Sequence, residues 1–422
     1  MPTDSRAIAR ALPTHTWQAK IAVVAVVLLP VFLFHARAFA DASVSLTALL
    51  FLIESARCRV WHWLRRPWLI AALLLWACIV IGSLQTGPQA SINQALVMGR
   101  LFLFAAALEE WVLPQEQAQR WLTISLRVMA VWLVSQVWEQ RLLGSNILGD
   151  PAWPDGMLTG PFVKPRAGPV FIGLFIPAVL PPVLDLLKRG DRRGFVYGSA
   201  ILVISLATLI MIGQRMPTLL ALFGICIAAL IERRLRLPAL IAAGLGVALL
   251  AALPVLSPAT YFRVVQLFGQ QITHFAEDPY GQLYTRATEM MLAHPWFGVG
   301  YDGFRYLCND PRYMHGLRAY GIPTALVQNA GGCNLHPHNY YFQILAAGGL
   351  LGMAAFLAMV LAVLRRLARL TGSAVPHQQR MLFVAVCVSF WPLASTLSMF
   401  VLDAGGWIFL FIGWGLAAAR QP

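Results

Sequence analysis

At 422 residues the chain has the length of two or three soluble domains, but 59% hydrophobic against 12% charged residues excludes a soluble protein. The net charge of +14 is not a nucleic-acid footprint, because Lys and Arg sit in short connections between apolar runs and not on one soluble face. The composition is that of an all-α polytopic membrane protein, with residues 1–422 forming a single transmembrane domain and a membrane as its first partner.

In chain order, Arg6, Arg10 and Lys20 precede an apolar run from Ile21 to Phe34, and Ala38-Phe39-Ala40 follows. That pattern has the look of a signal peptide with a cleavage site, and it is read here as an uncleaved first span. The apolar runs predict about 12 transmembrane helices, near 21–35, 42–54, 68–85, 91–108, 120–138, 168–187, 195–213, 217–231, 237–256, 339–364, 380–396 and 400–419. The even-numbered connections carry Arg57, Arg59, Arg65 and Arg66, then Lys188, Arg189, Arg192 and Arg193, then Arg233, Arg234 and Arg236, then Arg365, Arg366, Arg369 and Arg380. The positive-inside rule places them, with both termini, in the cytoplasm of a multi-pass protein, and the resemblance named below implies the bacterial inner (cell) membrane. Glu109, Glu110 and Glu116 make one cytoplasmic connection acidic, which counts little in that rule.

Three polar segments then face outward: residues 139–167, the tight turn Gly213 to Pro217, and a large loop inserted at 257–338, between spans 9 and 10. Within the loop an amphipathic helix is expected from about Gln282 to Ala293, stopped by Pro295, followed by a glycine-rich turn region from Phe297 to Phe304. Cys58, Cys78, Cys226 and Cys387 lie in or beside apolar spans. Cys308 and Cys333 are the cysteine pair of the large loop, and a disulfide between them needs an oxidising compartment.

The longest polar segment runs straight into an apolar helix at Asn334-Leu-His-Pro-His-Asn-Tyr-Tyr-Phe. Pro337 suits the last turn before a helix, which puts His338 and Asn339 at the bilayer edge, with Asn339 able to cap helix amides. Gly348, Gly349 and Gly352 remove side chains one turn apart and allow a neighbouring helix close approach. The plain alternative is an interfacial helix start that happens to carry two histidines, His336 and His338.

Arginine on the outward side is what topology leaves unexplained. Arg215 stands in a turn too short to carry it from the membrane boundary, and the competing account is a snorkelling side chain. Arg286 lies on the predicted loop helix, where a solvated face explains it equally well, and Lys164 with Arg166 makes a third cationic spot before the sixth span. Fixed guanidinium groups beside a membrane-edge imidazole suit a lipid diphosphate, which departs as a stabilised anion and leaves one task, deprotonation of an incoming hydroxyl. Histidine is the side chain suited to it. Gln214, Tyr301, His336 and Asn339 join Lys164 and Arg166 as candidate substrate contacts. No metal site is convincing: His336 and His338 lack helical pair spacing, and the loop carboxylates Glu277, Asp278, Glu289, Asp302 and Asp310 are scattered. Walker and Rossmann fingerprints are absent, so no cofactor is expected.

Together these residues resemble the O-antigen ligase family of bacterial inner-membrane glycosyltransferases. The resemblance rests on His338-Asn339, nine residues, then Gly349-x-x-Gly352, on the Arg215 turn, and on Arg286 with His294-Pro-Trp-Phe-Gly-Val-Gly300 downstream. It rests also on about twelve spans with one large loop before the His motif. It implies transfer of a glycan from an undecaprenyl-diphosphate-linked donor to a hydroxyl of lipid A core, on the periplasmic face, without metal or nucleotide. His338 is then the base, Arg215 and Arg286 bind the diphosphate, and the anomeric centre inverts. Met216 departs from the small residue expected after the arginine. O-antigen polymerases and protein O-oligosaccharyltransferases share the layout and donor. A transporter of an anionic lipid or solute would show paired Gly/Pro-interrupted helices in its two halves, and no matching pair is visible.

Overall fold

Inside a bilayer only hydrogen bonding within the segment satisfies the backbone, so each long apolar run folds as a helix. The structure, a computed structural model, describes residues 12–322, 333–394 and 397–420; Arg6, Arg10 and the end of the span expected at 380–396 lie outside them. Among the described residues nine helices are long and apolar enough to cross a membrane: α1 Trp17–His35, α2 Arg37–Cys58, α3 Pro67–Thr86, α4 Gln89–Val112, α5 Glu116–Leu143, α6 Ala167–Lys188, α7 Arg192–Ile212, α9 Arg233–Leu256 and α11, the run Tyr340–Thr371. The expected twelve are therefore not all of spanning length. The other three coincide with the shorter helices α8 Arg215–Ile231, α12 His377–Ser389 and α13 Leu402–Ala418. Between α9 and α11 the loop carries α10, Pro279–Ala293, three residues longer at its start than the amphipathic pattern predicts. Asp278 caps it by accepting from Tyr280 N, and Pro279 at its first position needs no partner.

Charge sorts the two ends of the bundle. Glu109 and Glu110, the acidic exception in the sequence, are buried among basic connections. Arg66 Nε donates to Glu110 Oε1 at 2.9 Å, Arg420 reaches Glu110 Oε2 at 2.5 Å, and Arg366 lies 3.5 Å from Glu109 Oε1. Trp68 Nε1 also donates to Glu109 Oε2 at 2.8 Å. Arg380 pairs with Glu232, and His377 Nδ1 lies 2.7 Å from Asp185 Oδ1, at the same end. The acidic connection thus neutralises its basic neighbours, and all lie opposite the large loop.

At the loop end, α3 and α11 are joined through a segment of the loop itself. α11 is broken at Gly349 (φ 62°, ψ −160°), a backbone region open essentially to glycine. The break separates groups that an unbroken helix would pair, the amides of Leu350 and Leu351 and the carbonyls of Ala346 and Ala347. All four are satisfied by residues 295–300. Leu350 N donates to Pro295 O (2.8 Å), Leu351 N to Trp296 O (3.4 Å), Val299 N to Ala346 O (2.8 Å) and Gly300 N to Ala347 O (3.0 Å). From the other side, Ser83 Oγ of α3 accepts from Tyr301 N at 2.9 Å and Thr86 Oγ1 donates to Val299 O at 2.9 Å.

The two glycines of the Gly-x-x-Gly pair therefore differ in role. A Cβ on Gly349 would lie 2.7 Å from Pro295 O and Trp296 O, whereas one on Gly352 would meet only Cys78 and Leu75 at 3.6 Å. Gly349→Ala is expected to cost at least about 1–3 kcal/mol from backbone strain alone, and Gly352→Ala to be close to neutral. Thermal unfolding of the two purified variants in detergent checks this, and equal melting temperatures would contradict it.

Candidate active site

A cavity of about 860 Å³ opens where the loop meets α6, α8, α11, α12 and α13. Its polar margin carries Gln214, Arg215, Arg263, Asp278, Tyr280, His338 and Asn339, all at helix starts or in the loop. Its deeper wall is apolar, from Ile172, Ile176, Leu220, Val388, Trp407 and Phe411. The shape and polarity suit a molecule with an anionic head and a hydrocarbon body.

Arg215 opens α8 after the left-handed Gly213 (φ 77°), which turns the chain back at the membrane boundary. Its guanidinium lies 5.4 Å from the Phe268 ring centroid. Nη1 is buried and has no hydrogen-bond partner among the described residues. Buried guanidinium N–H groups are rarely left unpaired, so this one marks a place for an anion. Gln214 is committed elsewhere: its Oε1 accepts from Gly168 N at 3.0 Å and its Nε2 donates to Pro165 O at 2.9 Å, fixing the Arg215 turn to the start of α6.

His338 is one of two non-glycine residues with positive φ among those described, at 57°. Such conformations persist only where neighbours over-determine them. Here Asn339 does so. Its Oδ1 accepts from Tyr341 N (2.9 Å) and Phe342 N (3.3 Å), while Nδ2 donates to Pro392 O (2.7 Å) and Ala394 O (3.1 Å). The buried amide caps α11 as expected and also ties it to the segment after α12. The His338 ring stands edge-on to Tyr280 (5.8 Å) and 4.4 Å from His336. Asn334 Oδ1 accepts from Leu335 N at 2.7 Å, so its NH₂ faces His338 Nε2 at 2.6 Å. With that amide as donor, Nε2 is the acceptor.

Tyr280 and Tyr284 stand on α10 above the same cavity. Tyr284 stacks on Phe342 at 4.3 Å, and burial, with the nearby Tyr280, pushes its hydroxyl up to about 12, keeping it a neutral donor.

Other expected residues sit elsewhere. Arg286 does not line the cavity: it is 1% exposed on the inner face of α10, with Nη1 2.7 Å from Cys333 Sγ and 3.4 Å from Cys308 Sγ. The amphipathic phase of α10 turns it into the loop's own small core, with Leu283, Ala287 and Met290. Cys308 and Cys333 are disulfide-bonded there, Cα atoms 5.6 Å apart. Tyr301 packs on Phe400 (5.7 Å), held away from the cavity by its amide bond to Ser83. Burial, then the charge of Asp302, pushes its hydroxyl up to about 12. Arg166 pairs with Asp403, whose side chain does reach the cavity, while Lys164 is exposed. Arg263, Asp278 and Tyr280 were not picked out in the sequence, although Arg263 carries the signal that singles out Arg215, a cation at the loop end of a span.

Residues 200–357 match the family model described as O-antigen ligase. That segment, which is less than half of the chain, is similar to the O-antigen ligase family. No curated protein matches the chain. The matched segment contains Arg215, Arg263, Arg286, His338 and both glycines of α11. The match and the long apolar helices among the described residues together point to a multi-pass membrane protein.

Asn339 is expected to matter through His338. Asn339→Ala removes a helix cap, typically about 1 kcal/mol, along with the tie to Pro392 and Ala394. Turnover should fall more than donor affinity, a split that steady-state kinetics on folded protein would reveal.

Proposed function

We propose that the protein moves a glycan, an O-antigen chain, from undecaprenyl diphosphate to a hydroxyl of lipid A core, on the periplasmic face of the inner membrane. What supports this most is that Arg215, with a buried unpaired N–H, and His338, held in a strained conformation, border one cavity whose inner wall is apolar. The isoprenoid lies along that wall between α6, α8 and α13. The diphosphate meets Arg215, whose planar fork presents paired donors to phosphate oxygens.

The acceptor hydroxyl approaches His338 Nε2 and takes the place of the Asn334 amide. As its oxygen bonds to the anomeric carbon, the bond from that carbon to the diphosphate oxygen breaks, the proton passes to Nε2, and the electron pair leaves with the diphosphate. Attack and departure on opposite faces invert the anomeric centre. The leaving group is already a stabilised anion, so arginine charge suffices and neither a general acid nor a metal is required in this scheme. Tyr280 and Tyr284 present their hydroxyls along the sugar's path. Arg286 has its place under the loop, beside the disulfide, where it supports α10 and does not meet the donor.

The direct test incubates purified protein with undecaprenyl-diphosphate glycan and lipid A core and follows the glycan by gel shift. Transfer to the core is expected, and its absence with a competent donor would overturn the reading. His338→Ala should lose roughly 10² to 10⁴-fold in turnover with donor binding largely kept, the usual share of a general base. Near-normal transfer by folded His338→Ala protein would remove it as base. Arg215→Lys should lose most activity although the charge is retained, because lysine cannot reproduce the fork; wild-type rates would return Arg215 to a structural role.

A further inference from the structure

The cavity has a second arginine at its margin, which the scheme above leaves unused. Arg263 stands on the π-helical turn Phe262–Gln266, after the short helix Pro258–Tyr261, and it lines the cavity with Arg215. Single π-turns inside helices are frequent at functional sites. Three segments set its position. Leu158 N donates to Ile212 O at 3.2 Å, so the turn at 153–158 is tied to the last residue of α7, just before Arg215. Gly156 is left-handed (φ 87°), and a Cβ on it would lie 2.7 Å from Ala259 Cβ, so glycine there lets residues 258–263 approach. Gly213 faces Thr260 and Met157, which a Cβ would meet at 3.7 and 3.9 Å.

The two guanidinium groups are thus mounted on one frame, close enough for the charge of Arg263 to act on Arg215. Arg263 Nη1 pairs with Asp155 Oδ2, while Asp155 Oδ1 accepts from Met157 N at 3.2 Å. Arg263 Nε, like Arg215 Nη1, is buried with no hydrogen-bond partner among the described residues. Two like charges bordering a largely apolar cavity repel, and each unpaired N–H carries a desolvation cost. A multivalent anion between them removes both penalties.

On the reading that the cavity takes a lipid diphosphate, we propose that Arg263 is the second cation of the anion site and that Asp155 is the counter-ion it gives up. The guanidinium moves from the Asp155 carboxylate to the phosphate oxygens, and Asp155 stays bound to the Met157 amide. Affinity for the anion then includes the cost of leaving Asp155, so the carboxylate tunes how tightly the donor and the departing diphosphate are held.

The test titrates full-length protein in detergent with farnesyl diphosphate, using inorganic pyrophosphate as competitor to separate the anion's contribution from the isoprenoid's. Arg263→Gln is expected to weaken binding about tenfold or more, the loss of charge-assisted hydrogen bonds. Asp155→Asn, which can still accept from Met157, is expected to tighten it roughly twofold to fivefold. That gain should vanish when Arg263→Gln is added, and a gain of affinity cannot come from misfolding. Unchanged binding in Arg263→Gln, with Arg215→Gln weakened, would overturn the role of Arg263 and leave the cavity as the diphosphate site. Unchanged binding in both would overturn the diphosphate reading as well. Weaker binding in Asp155→Asn would overturn the exchange and make Asp155 a residue that positions Arg263.

Discussion

The break in α11 at Gly349 is the constraint on which the loop end of the molecule depends. Two amides and two carbonyls separated there must be paired, since a buried backbone group without a partner costs on the order of a lost hydrogen bond. Residues 295–300 satisfy all four, and by doing so they are pinned between α11 and α3. Gly82, Gly298 and Gly300 make the fit possible, for a Cβ on any of them would come within 2.4 Å of backbone atoms in the neighbouring element. The loop is thereby fastened to the bundle at His294 to Asp302, and α10, immediately before, is carried over the cavity.

That arrangement lets one short stretch serve two ends. Gly349 anchors the loop, and about three turns earlier Asn339 caps the same helix and holds His338 in its left-handed conformation. The imidazole is therefore positioned by backbone bonding on both sides, not by its own contacts alone. Tyr280 and Tyr284 reach the cavity because α10 is fixed to the same helix; Tyr284 stacks directly on Phe342.

Charges divide between the two ends of the bundle for different reasons. Away from the loop, Glu109, Glu110 and Glu232 answer Arg66, Arg366, Arg420 and Arg380, so the cations there are compensated by buried carboxylates. At the loop end Arg166 and Arg37 share Asp403, and Arg263 is held by Asp155. Arg215 alone of the cavity's arginines has no such answer among the described residues. Asp278, on the same cavity, acts on it electrostatically without pairing with it, and a guanidinium with a buried unpaired N–H at an apolar cavity is costly to fold, which is the physical reason to propose a ligand for it.

The sequence by itself determined the helical membrane character, the separation of basic connections from the large loop, the loop between α9 and α11, the cap at Asn339 and the place of Arg215 and His338 at helix starts. Those follow from hydropathy, from loop charge and from local backbone chemistry, all of which act between near neighbours in the chain. The motifs behind the family resemblance sit within the segment that matches the O-antigen ligase model. Only the tertiary structure decided that nine helices among the described residues are of spanning length, that Gly349 breaks α11 where the glycine spacing suggested helix packing, and that Arg286 turns inward to the disulfide while Arg263 turns to the cavity. These depend on the phase of a helix relative to a distant partner, and on which carbonyl, far off in the chain at Pro295 or Trp296, receives a freed amide. A single arginine on a loop helix reads the same in sequence whichever face is buried, so packing alone could separate the two.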